Sequence, residues 1–214
     1  MGTWARGLLV VSMLIGRSYP LVWSLGWPQA ATIAWKGAGV GLLALMAASE
    51  ARNPDGWLLA GTLAFGALGD VLFESRLTLS AIAFMVGHVV AIALYLRHRR
   101  ERLSASQRAL ALLVIPASVL IAWLLPADRA LAPGAAVYAL FVAAMAAAAW
   151  TSRFPRYVTG LGAMMFVASD LLIFARMGPF AGAAWVSLAI WLLYYVGQLM
   201  IALGVRRVLT NNPA

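Results

Sequence analysis

Asp70 and Asp170 are the residues best placed to do chemistry. Each carboxylate sits inside a run of small and apolar residues, GTLAFGALGDVLFE over Gly61 to Glu74 and GAMMFVASDLLIFA over Gly162 to Ala175. A carboxylate in hydrocarbon is costly unless it faces a protein interior, a polar cavity or a partner, so each is a functional candidate by default. Two acids facing one cavity lose their protons in separate steps, because the first charge formed opposes the second. One protonated and one ionised carboxyl is the pairing that general acid and general base catalysis uses.

The remaining polar groups arrange themselves around these two. Glu74 is one helical turn beyond Asp70, on the same face. Lys36 or Arg17 could neutralise the ionised acid or hold a phosphate. His88 and Gln198 lie deeper in their segments. Each has a plainer reading. The acids could be helix-packing hydrogen bonders or serve transport. Lys36 could snorkel to the interface, and Arg17 could be interfacial. His88 could be a neutral core residue, and Gln198 an interhelical hydrogen bonder. Glu74 and Arg76 could form a solvated turn, and Trp191, Tyr194 and Tyr195 a packing stripe. No nucleophile elbow, His-Glu-x-x-His site or phosphate loop competes with the acids. Zinc could be drawn among His88, Asp70 and Asp170, but their spacing does not support it. These residues require no metal and no cofactor.

The elements that must position the acids follow from composition. The 214 residues are 64% hydrophobic and 11% charged, whereas a soluble chain is about half apolar and a quarter charged. Such a chain reads as an all-α polytopic membrane protein. Eight apolar segments, at about 4–23, 30–48, 57–73, 77–96, 109–125, 134–150, 157–174 and 183–205, match a helix crossing about 30 Å of hydrocarbon. Period-two alternation, the mark of a transmembrane barrel, is absent. A single eight-helix domain is expected over 1–208, with a short flexible tail over 209–214. The opening segment resembles a signal peptide but lacks a convincing cleavage site, and is read as a retained first helix. Pro116 is expected to kink the fifth segment.

Charge sets the orientation. The net charge of +9 lies mostly between apolar runs, which points to membrane topology rather than nucleic acid. With both termini inside, the inner regions hold Arg6, Arg52, Arg97, Arg99, Arg100, Arg102, Arg108, Arg153, Arg156, Arg206 and Arg207. The outer links hold only Arg76, Arg129 and Arg176. That bias predicts cytoplasmic termini, as for a multi-pass protein of the bacterial inner membrane. It also places Asp70, Asp170, Lys36 and Arg17 in the outer half, and predicts a polar cavity open toward that side. The chain has no cysteine, which excludes disulfides and thiolate chemistry.

At these residues the chain resembles the YhhN family of membrane lysoplasmalogenases. The motifs are Gly69-Asp70 in GALGDVLF, Gly87-His88 in VGHVV, Ser169-Asp170 in FVASDLLIF, and Tyr194 or Tyr195 with Gly197-Gln198 in YYVGQLMIALG. Lys36 matches the family's lysine near the start of helix two. The usual Lys-Pro-Leu is here Lys36-Gly37-Ala38, and the aromatic that follows the histidine motif is absent. The resemblance implies eight helices and hydrolysis of the vinyl ether bond of lysoplasmalogens, such as lysoplasmenylethanolamine or lysoplasmenylcholine. For that reaction one of Asp70 and Asp170 would be the proton donor, and the other would stabilise the cation and activate water. Lys36, Arg17 or Arg176 would hold the phosphate, and His88, Gln198 and Tyr195 would orient water or glycerol oxygens. Three alternatives stand beside it: hydrolysis of another lysolipid, proton-coupled transport, and lipid binding without turnover. The two similar acid-bearing segments would fit a transporter built from repeats.

Overall fold

A computed structural model describes residues 1–211 of the chain. Among these residues the protein is all-α, with eight long helices: α1 (Thr3–Val22), α2 (Gln29–Glu50), α3 (Pro54–Leu72), α4 (Leu77–Arg97), α5 (Ala105–Leu124), α6 (Ala132–Thr151), α7 (Leu161–Arg176) and α8 (Ala184–Asn211). A 3-10 turn, Arg129–Leu131, leads into α6, and a π-turn, Arg156–Gly160, leads into α7. Seven of the helical stretches are long and apolar enough to cross a membrane. The helix left out is α3, whose hydropathy is lowered by Asp55, Asp70 and four glycines. The architecture is that of a polytopic membrane protein with seven to eight long apolar helices.

Helix ends follow local chemistry. Asn53 caps α3 by accepting from the Gly56 amide at 3.0 Å, with Pro54 in the first turn, where its missing N–H costs nothing. Ser104 and Gln107 form a reciprocal capping box at the start of α5. Pro116 lies inside α5, which continues on both sides of it. Large apolar side chains point outward in numbers that water would not tolerate: Leu112 is 74% exposed and Leu113 65%. Lipid is the solvent that suits them. α8 runs through Asn211, so 209–211 continue a helix where a tail was expected; residues 212–214 lie outside the described residues.

The chain divides into two compact units, residues 1–94 with 205–214, and residues 95–204. In the first, small residues let the backbones come together. Ser12 Oγ on α1 donates to the Gly39 carbonyl on α2 at 2.6 Å, and Trp35 Nε1 donates to Ser18 Oγ at 3.1 Å. Gly37 lies against Ala67 and Val71 of α3, and Gly69 against the Phe84 ring of α4. Ser80 Oγ donates to the Gly69 carbonyl at 2.8 Å. At the other end of this unit Glu50 pairs with Arg206 and accepts from the Gly2 amide at 3.3 Å.

In the second unit, α6 buries alanines against α5 and α7; Ala122, Ala135 and Ala139 form a cluster with Leu171 and Phe174. Gly162 on α7 and Gly197 on α8 pack backbone to backbone, each lying against the other's carbonyl. Gly178 lies against the Leu125 carbonyl, and the Ala127 amide donates to the Met177 carbonyl at 3.0 Å. At the opposite end, Arg100 Nε donates to the Ser152 carbonyl at 2.6 Å, and the Arg153 amide to the His98 carbonyl at 2.6 Å. These bonds tie the basic link before α5 to the link after α6.

Candidate active site

In the first unit the polar side chains gather at one end. Asp70 is two residues from the end of α3 and only 2% exposed. Lys36 enters from the first turns of α2, is buried, and places Nζ 3.6 Å from Glu74 Oε1 and 4.1 Å from the Phe73 ring centre. Tyr19, near the end of α1, is buried and lies within electrostatic reach of Glu74 and Asp70. The ends of α1 and α3 and the start of α2 thus supply an acid, a cation, a second carboxylate and a phenol. Glu74 is exposed at the edge of this group, so water screens its pair with Lys36.

His88 is buried on α4 but sits deeper. Its neighbour Gly87 packs beside Thr62, Phe65 and Gly66, four to eight residues before Asp70. At 1.5 Å per residue that is about 6–12 Å along α3. Arg17 is on α1, with an exposed side chain. A cleft lined by Glu50, Arg52, Asn53, Arg206 and Leu209 lies at the far end of this unit. It begins where α3 begins, and Asp70 is where α3 ends.

In the second unit Asp170 lies six residues before the end of α7 and is 4% exposed. Its Oδ2 accepts from the Tyr138 hydroxyl of α6 at 2.9 Å. Tyr138 in turn packs edge-on against Phe174, with ring centres 6.0 Å apart. Ser169 Oγ donates to the Ile190 carbonyl of α8 at 3.0 Å, which fixes α7 to α8 beside the acid. Arg176 closes α7 and donates to Ser187 Oγ at 3.3 Å. Tyr195 is buried and stacks on Trp191, with centres 5.6 Å apart and planes 16° from parallel. Gln198 is buried three residues further along α8.

The structure therefore gathers Asp70, Lys36 and Glu74 in the first unit, and places Asp170 and Arg176 on α7 of the second. His88 and Gln198 lie near the middle of α4 and α8. Two residues were missed. Tyr138 and Tyr19 are both buried, and the Tyr138 hydroxyl donates to Asp170. Tyr138 had a signal, as the one tyrosine in the alanine-rich α6. A phenol buried in an apolar helix must find a partner for its hydroxyl.

A family model described as the YhhN family matches residues 31–205. The match takes in both acids, Lys36 and the Gly87-His88 and Gly197-Gln198 pairs. No curated protein and no solved structure matches the chain.

Proposed function

The chain belongs to the YhhN family, and from that premise we propose that it is an intramembrane hydrolase that cleaves the vinyl ether bond of lysoplasmalogens. The observation that carries this reading is the burial of one carboxylate in each unit, Asp70 four residues before the Glu74 that pairs with Lys36 and Asp170 accepting from the Tyr138 hydroxyl. A vinyl ether resists base and yields to acid. Transfer of a proton to its β carbon creates an oxocarbenium ion, which nearby carboxylates stabilise. Water adds at the α carbon and gives up a proton, forming a hemiacetal. The hemiacetal collapses to a fatty aldehyde as the glycerol oxygen leaves with a proton. Asp70 and Asp170 are the proposed carboxyls for these steps, the transfer of a proton to carbon and the removal of one from water.

Lysoplasmenylethanolamine and lysoplasmenylcholine are the proposed substrates. Lys36, Arg17 and Arg176 supply the cations for a phosphate, and His88, Gln198 and Tyr195 the polar groups for water or glycerol oxygens. The protein crosses the bacterial cytoplasmic membrane eight times, with both termini inside.

The test is product analysis by mass spectrometry with purified protein in detergent. The vinyl-ether lysolipid is expected to give aldehyde and headgroup, and its saturated-ether control nothing. Release of product in detergent separates hydrolysis from transport, which needs a sealed compartment. Asp70→Asn and Asp170→Asn are each expected to lower turnover by at least about a hundredfold while the protein stays folded. Full turnover by either variant would sink the two-acid mechanism.

A further inference from the structure

Contacts in the first unit recur in the second at fixed sequence offsets. A Cβ on Gly87 of α4 would meet the Thr62 carbonyl oxygen, the Phe65 Cβ and the Gly66 nitrogen. A Cβ on Gly197 of α8 would meet the Gly162 carbonyl oxygen, the Met165 Cβ and the Phe166 nitrogen. These are the same atoms, shifted by 100 residues between α3 and α7 and by 110 between α4 and α8. Ser80 Oγ donates to the Gly69 carbonyl. At the matching pair, Ser169 Oγ donates to the Ile190 carbonyl, with the hydroxyl now on the other helix of the two. The local sequences agree: FMVGH over Phe84–His88 and YYVGQ over Tyr194–Gln198.

The second helix of each set follows at an offset of 102. Gly37 lies against Val71, and Ala139 is clustered with Leu171. Lys36 pairs with Glu74, and Tyr138 packs on Phe174. In each case the partner, on the third helix or just beyond its end, is displaced by 100.

We propose that the chain is two copies of one four-helix module, α1–α4 and α5–α8, and that Tyr138 is the positioning residue that sets the second copy's acid apart from the first's. The geometry stands alone; the catalytic role rests on the hydrolase reading. Duplication by itself yields two equivalent acids, and acid/base chemistry needs two different ones. The matching positions Lys36 and Tyr138 are one place where the two copies differ. In the first copy the side chain turns to Glu74 and Phe73. In the second, Phe174 stands where Glu74 stood, and the hydroxyl goes to Asp170 Oδ2 instead. A phenol donating to one carboxyl oxygen fixes the plane of that carboxyl before substrate arrives, which is what a near-attack arrangement requires.

The test uses the full chain in detergent, with Tyr138→Phe and with fluorinated tyrosines introduced at 138. Tyr138→Phe is expected to lower kcat about a hundredfold with KM within about twofold, at an unchanged melting temperature. Graded fluorination is expected to move kcat in step with phenol acidity. A wild-type kcat in Tyr138→Phe overturns the proposal. So does a kcat that stays flat across the fluorinated series, because that would leave Tyr138 a packing role only. Absence of any product from the wild-type chain would instead remove the hydrolase reading. Infrared spectroscopy then decides the pairing: the carboxyl band lost in Asp170→Asn is expected to shift in Tyr138→Phe, and a band that stays in place overturns it.

Discussion

Lys36 shows how a long cationic side chain is kept at the level of an acid. Its ammonium has a half-exposed carboxylate on one side and an aromatic face on the other. The ion pair is worth about 1 kcal/mol at most at such exposure, and the ring adds about 0.5–2 kcal/mol. Stability alone gives little reason for the charge. Lys36→Met is therefore expected to melt within a few degrees of wild type. It is expected to raise KM for a phosphate-bearing lysolipid about tenfold, with kcat held, and to leave a phosphate-free alkenylglycerol unaffected. Paired KM measurements check this. His88 and Gln198 occupy matching places in the two modules, so His88→Gln is expected to keep turnover within about threefold, or about 0.7 kcal/mol. A fall of several orders of magnitude would give the imidazole proton-transfer work that a glutamine cannot do. The burial of Asp70 and Asp170 was legible in the sequence because each carboxylate sits within an apolar run. Tyr138 was not, because one tyrosine among alanines is chemically ordinary until its hydroxyl is seen to reach an acid.

The helices were legible in number and type because each apolar run is bounded by turn chemistry, as at Asn53-Pro54 and Ser104. Their mutual approach was less so. A glycine in an apolar segment looks alike whether it faces lipid or a carbonyl, and only packing separates Gly7, with open space around it, from Gly197. A Cβ at Gly197 would stand 2.7 Å from the Gly162 carbonyl oxygen, and backbone cannot swing aside. Gly197→Ala is expected to destabilise by about 1–3 kcal/mol. A Cβ at Gly87 would stand 3.2 Å from the Phe65 Cβ and 3.3 Å from the Thr62 carbonyl oxygen, and the helix propensity regained, about 1 kcal/mol, offsets the crowding. Thermal melts in detergent should thus separate these two matching glycines, with Gly87→Ala near neutral. The same closeness explains α3. Its glycines and Asp70 lower its hydropathy, yet they let α2 and α4 pack against it and give the acid a protein environment.

For the whole molecule, the sequence carried two kinds of information of different reach. Composition was enough for an all-α membrane protein, because hydrocarbon leaves so few ways to satisfy a backbone. The arginine bias is a statement about sidedness, which contacts among helices do not contain. It predicts that reporters fused to either end act from the cytoplasm, whereas a reporter in the link after α7, near Arg176, acts from the opposite side. Protease protection in sealed vesicles of known orientation checks both. The recurrence of contacts was the least legible feature. Segments three and seven share an acid and little else by letter, and the likeness lies in which atoms meet.

Glu50 has a consequence of another kind. It accepts from the Gly2 amide and pairs with Arg206, so the chain comes back to within one side chain of where it set out. A short linker from residue 211 to residue 1, with a new opening at Leu103–Ser104, would turn the order of the two modules around without cutting a helix. Circular permutation succeeds where ends lie close and the new break falls in a link. Such a permutant is expected to reach the membrane folded, with α5 leading and α4 last.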